Sequence, residues 1–153
     1  MKFLIFIIFS SLSLVAHAGC MAEFEEGKVN INKAVAANND FHQTYIELRT
    51  YFEEWVIIPK EACLKGAEAL KLAWNASYYN YASYLNGRNM IEMDCSYGPE
   101  ISYTGKGIKY DTEGRYKKMY ANYLKLRPRI AHDCTMHMNI PEVADPSTLF
   151  YHY

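Results

Sequence analysis

Residues 132–138, His-Asp-Cys-Thr-Met-His-Met, place five metal-capable side chains within seven positions. Thioether and thiolate sulfur favour Cu(I), and imidazole suits copper as well, so His132, Met136, His137 and Met138 are candidate copper ligands. Met90 and Met93, just before Cys95, form a second sulfur-rich stretch. A disulfide from Cys95 to Cys134 would bring the two stretches together. It would also consume the Cys134 thiolate, leaving methionines that fill irregular gaps in a core. Copper handling is one reading of this segment and core packing the other.

Catalytic patterns are sparse. The chain has no Gly-x-Ser-x-Gly elbow, no His-Glu-x-x-His zinc helix and no phosphate loop, since Thr104-Gly105-Lys106-Gly107 lacks the P-loop spacing. His132 and Asp133 are sequence neighbours, and neighbours on a helix do not face each other. Glu25-Glu26 and Glu53-Glu54 read as solvated helix faces, His42 as a surface residue and Asn75-Ala-Ser as a chance sequon on a core-facing helix. No catalytic residue is assigned, and an enzyme of unknown class stays as an alternative.

The elements that would hold these residues are mostly helical. Phe41, Tyr45, Leu48, Phe52 and Trp55 recur at steps of three and four, which predicts a helix from Asn39-Asp40 to Pro59. Residues 21–37 are expected to form a separate, weaker helix through Phe24, Ile31 and Val35, with Gly27 counting against it. A second main helix is expected from Pro59 to the Asn86-Gly87 cap, burying Cys63, Leu70, Trp74, Ser77 and Tyr81. A third should start at Asp111 or Thr112, carry Tyr116, Met119 and Tyr123, and kink or end at Pro128. Trp55 and Trp74 are expected between the two central helices.

Between the second and third helices, Ile101 and Tyr103 alternate on one side of a Gly-containing turn, Ile108 and Tyr110 on the other. That pattern predicts a short β-hairpin. Tyrosines on such an insertion offer contact area at low entropic cost, so Tyr103, Lys106 and Tyr110 are candidate partner-binding residues. From Asn139 the chain should run extended past Pro141 and Pro146, with Leu149 and Phe150 folded back onto the bundle. The fold expected is therefore mainly α: a small antiparallel bundle of three to four helices with a hairpin insertion and two disulfides.

Residues 1–18 read as a secretory signal: Lys2, an apolar run shorter than a membrane span, and the small-x-small site Ala16-His17-Ala18. Residues 19–153 then form one domain. A lipoprotein-type anchor on Cys20 is the alternative, with His17 misplaced for it. Cys20, Cys63, Cys95 and Cys134 are an even set suited to an oxidising compartment, periplasmic or extracellular. A 60–86 helix separates Cys63 from Cys95 by more than nine residues can retrace, and Cys20 is expected at the Cys63 end of the bundle. The pairing expected is Cys20–Cys63 with Cys95–Cys134.

Loss of Lys2 with the signal leaves 15 basic against 17 acidic side chains, so total charge offers no footprint for nucleic acid or anionic membrane. What remains is a small, exported, stapled helical scaffold rich in tyrosine, a format suited to binding another protein. In that format (signal peptide, small size, helices, paired cysteines) it resembles secretion-system immunity proteins, a likeness carried by no motif. An inhibitor or immunity-type binder is the leading expectation, and a copper or small-ligand binder the alternative. Intact mass of exported protein should show loss of residues 1–18 and a start at Gly19; a diacylglyceryl mass on Cys20 would contradict it.

Overall fold

The computed structural model describes the backbone of residues 2–54, 58–95 and 105–150, with side chains from Gly19 onward except residues 53 and 54. Three helices follow in order: α1 (Lys2–Glu54), α2 (Lys60–Glu92) and α3 (Gly105–Asp133), and a 3-10 turn, Pro146–Phe150, closes the tail. Helix α2 is central. Both outer helices pack along its length and make little contact with each other.

α1 is one helix, not the two that the sequence suggests, and Asn39-Asp40 does not start a new one. Its buried positions Cys20, Gly27, Ala34, Phe41 and Leu48 recur every seven residues, with Asn30 and Ala37 between them. This is a coiled-coil-like seam. Its first half is built from small and polar residues, so hydrophobicity alone does not reveal it. Ser83 Oγ donates to the Gly27 carbonyl at 3.2 Å, and the Asn30 amide donates to Asn86 Oδ1 at 3.1 Å. Asn86 and Asn89 in turn donate to the two carboxylate oxygens of Glu23, at 2.7 and 3.0 Å. Such a buried polar ladder fixes the register of two helices that bury little bulk.

α2 runs past the expected Asn86-Gly87 cap to Glu92. It ends in a Schellman motif: the Asp94 N–H donates to Ile91 O (3.1 Å) and the Cys95 N–H to Met90 O (2.9 Å), with Asp94 at φ 54°. Gly87 instead serves a helix crossing. A Cβ there would sit 2.7 Å from the Lys109 backbone nitrogen and 2.8 Å from the Gly105 carbonyl oxygen. Gly105 is equally confined, its own Cβ position being 2.7 Å from Met90 Cβ. The glycines read as a hairpin turn are therefore contact residues where α3 leaves α2.

This corrects the predicted hairpin: residues 105–110 are the first turns of α3, and Ile101 and Tyr103 lie outside the described residues. Ile108 packs inward, and Thr112 Oγ1 donates back to the Ile108 carbonyl at 2.7 Å. Pro128 does not end α3. It and Leu124, whose carbonyl loses its usual partner, are both exposed, so water can satisfy the freed oxygen.

The disulfides are Cys20–Cys95 and Cys63–Cys134, with Cα separations of 5.8 and 5.6 Å. The expected pairing is overturned because α1 is unbroken. Thirty-four residues from Cys20 to Glu54 rise about 51 Å, which puts Cys20 at the far end of α2 from Cys63. Each bridge thus clamps one end of α2 to a different outer helix, and α1 and α3 run parallel to each other.

After α3 the tail runs extended back along α2 and α3. Pro146 is fully buried, Phe150 packs on Tyr78 and Tyr81 at 5.4 and 5.5 Å, and Leu149 stays half exposed. Asp145 caps the final turn through Ser147 N–H at 2.8 Å. Trp74 faces this tail, not a space between α1 and α2, and its indole donates to the Ala144 carbonyl at 2.9 Å; Trp55 lies outside the described residues. Among the described residues no helix is long and apolar enough to cross a membrane.

Two glycine-to-alanine substitutions should move stability in opposite directions. Gly87→Ala must push α3 off α2 and should lower the melting temperature, costing about 1–3 kcal/mol as overpacking. Gly114→Ala meets nothing within 4 Å, and should raise it through helix propensity worth about 1 kcal/mol. Thermal unfolding of both variants measures the contrast.

Candidate functional site

Because α1 and α3 flank α2 and touch each other at few points, a groove is left between them. Four cavities of about 290, 290, 250 and 200 Å³ line up along it. Neighbours share walls: Tyr45, Leu126 and Arg129 join the first two, His42 and Asn122 the next, and Arg115 the last. They form one channel from Phe52 to Lys28 on α1, a helical length of about 36 Å. Asn80 of α2 contributes to its floor.

The walls are amphipathic. Val35 and Tyr45, with the half-buried Ile31, Phe52 and Leu126, supply the accessible apolar surface, over buried Phe41, Leu48 and Met119. The charged side chains are Lys28 and Arg49 from α1, and Arg115, Lys118, Lys125 and Arg129 from α3, against a single acid, Asp111. Asp111 lies 3.5 Å from Arg115. Arg129 is held by the Phe52 carbonyl at 3.3 Å and by Asp133 at 3.8 Å. Lys118 and Lys125 make no ion pair among the described residues, so their charge is available to a ligand.

The bias comes from α3. Eight of the chain's sixteen Lys and Arg residues fall in this helix, against three of its seventeen acids. Total charge hides this segregation, and sequence reasoning accordingly missed the groove. A signal was present: Arg115, Lys118, Asn122, Lys125 and Arg129 step by three and four, one stripe along a helix.

The residues singled out from sequence are dispersed. Lys106 and Tyr110 are exposed on the first turns of α3 and lie outside the groove, Tyr110 being 70% exposed; Tyr103 lies outside the described residues. His132 is exposed in the last turn of α3 and Met136 and His137 are exposed just beyond it, with a His137 ring nitrogen 3.1 Å from the Ile58 carbonyl. Met138 turns inward against the core. Met90 is buried at the opposite end of α2, near Cys95. The two sulfur-rich stretches are therefore not brought together, because the disulfide that would join them does not form. No group of three or more His, Cys, Asp or Glu among the described residues is placed to hold a metal.

Tyrosine contributes structure as well. Tyr81 meets Tyr116 edge to face at 4.9 Å, and Tyr120 stacks on Tyr123 at 5.7 Å. Burial pushes the Tyr116 and Tyr120 hydroxyls above the usual phenol range, so both stay neutral at physiological pH. No protein-family model matches the chain, and comparison with curated proteins and with solved structures finds no significant similarity.

Proposed function

We propose that the chain is an exported binding protein whose α1–α3 groove docks an acidic, amphipathic helical segment of another protein. The observation that carries the reading is the contiguity of the groove and its six cationic side chains; Lys28, Arg115 and Arg129 are ion-paired, while Lys118 and Lys125 have no ion pair among the described residues, on a chain of net charge −1. A fourth helix laid there would complete a bundle. Its apolar seam would meet Val35, Tyr45 and Leu126, and its flanking carboxylates would reach Lys118 and Lys125. Charge complementarity of this kind steers encounter and rejects cationic partners.

The role suits an inhibitor or immunity-type protein acting outside the cytoplasm. Two disulfides hold the walls of the groove, so little order has to be gained on docking. Export is supported by the signal-like residues 1–18 and by the paired cysteines.

Synthetic helices with a leucine seam test the reading. A Glu-flanked peptide should bind the mature protein, and its affinity should fall as salt rises. Combined Lys118→Glu and Lys125→Glu should weaken it by tenfold or more, equivalent to about 1.4 kcal/mol, without lowering the melting temperature. A Lys-flanked peptide binding equally well would overturn the proposal. So would polyphosphate binding as tightly at the same salt, because the groove would then read charge alone.

A further inference from the structure

On the other side of α2, the C-terminal tail bridges α2 and α3 without filling the space beneath it. The tail is pinned at several points. Val143 N–H donates to the Tyr123 hydroxyl at 2.9 Å, the Trp74 indole to the Ala144 carbonyl at 2.9 Å, and Arg127 to the Ile140 and Pro141 carbonyls at 3.4 Å each. These bonds hold the strap in place while leaving a cleft of about 350 Å³ below it.

The lining is mostly apolar, Asn139 at its edge being the one uncharged polar side chain not tied to the tail, and for a specific reason. Leu70, Met138 and Ile140 have no polar side-chain atoms to offer beyond a thioether, and Trp74 and Tyr123 have already committed their polar tips to the tail. Both aromatics therefore present ring faces alone. The one charged group in the lining is Lys71, exposed and without an ion pair among the described residues. Small-molecule sites run from roughly 300 to 1,000 Å³ and combine apolar walls with a few orienting polar groups. This cleft is at the small end of that range, with a single cationic anchor.

We propose that the cleft beneath the tail binds a single-chain anionic amphiphile, its alkyl chain against Trp74, Met138 and Val143 and its anionic head at Lys71. The inference is independent of the groove, with which the cleft shares no lining residue. Burial of alkyl surface against such walls supplies the driving force, and Lys71 selects the head group's charge and fixes the orientation. A neutral or cationic head gains nothing from Lys71, so the site discriminates amphiphiles by charge.

Titration calorimetry of mature protein with decanoate and with lysophosphatidylglycerol, each below its micelle concentration, tests the site. One saturable event per chain is expected for at least one of them, accompanied by a shift of the Trp74 indole N–H resonance. The tighter of the two identifies whether a free carboxylate or a lipid phosphate is the natural head. Lys71→Glu, an exposed change, should weaken binding by tenfold or more. Ala67→Phe, which projects into the cleft, should abolish it, with circular dichroism checking that the variant keeps its helices. Absence of saturable binding by both ligands, affinity unchanged by Lys71→Glu, or equal affinity for decylamine would each overturn the assignment.

Discussion

The architecture depends on how closely two helices can approach a third. α2 carries Gly66, Ala69, Ala73, Ala76, Ser77, Ser83 and Gly87 at buried positions, and these leave room for a neighbour on either side. At Gly66 an added Cβ would already touch Ile130 of α3 at 3.0 Å, and at Gly87 it would strike α3 backbone. Such contacts bury little bulk, so dispersion between well-fitted surfaces and a few buried hydrogen bonds must supplement the hydrophobic term. The disulfides complement this arrangement. Each closes a loop of more than 70 residues, 75 for Cys20–Cys95 and 71 for Cys63–Cys134, and stabilises by about 4 kcal/mol in the loop-entropy account.

Both candidate sites follow from α2 being sandwiched. Outer helices that pack on α2 rather than on each other leave a trough on one face, and the basic stripe of α3 lines it opposite α1. On the other face the tail returns across α2 and α3, tethered by side chains of both. Trp74, Tyr123 and Arg127 spend their polar groups on that tether, and the same spending leaves the cleft beneath it apolar. Fold and site are thus coupled through the same few side chains.

Much of this was legible in the sequence. The helical class, the start of α2 after Pro59, two disulfides and the return of Phe150 to the bundle follow from periodicity, proline placement and cysteine parity. What was not legible has one physical source: small residues are ambiguous. Gly27 looks like a helix weakness until Ser83 is placed opposite it. Gly87 looks like a cap, and Gly105 and Gly107 like a turn, until α3 crosses α2 at that point. A break in α1 near residue 38 would put Cys20 at the Cys63 end of the bundle; the unbroken helix puts it beside Cys95 instead. The basic groove was hidden differently, since an even total charge says nothing about which helix holds the cations. Its spacing along α3 was readable, but its partner wall on α1 became evident only in three dimensions.

The central claim is that unbroken outer helices are clamped to opposite ends of α2. Peptide mapping of the unreduced protein tests it most directly, because connectivity reports the direction of each helix. Proteolysis under conditions that block thiol exchange should yield one fragment linking Cys20 to Cys95 and another linking Cys63 to Cys134. A fragment linking Cys20 to Cys63 would require α1 to fold back on itself, and would contradict the parallel outer helices and the groove between them.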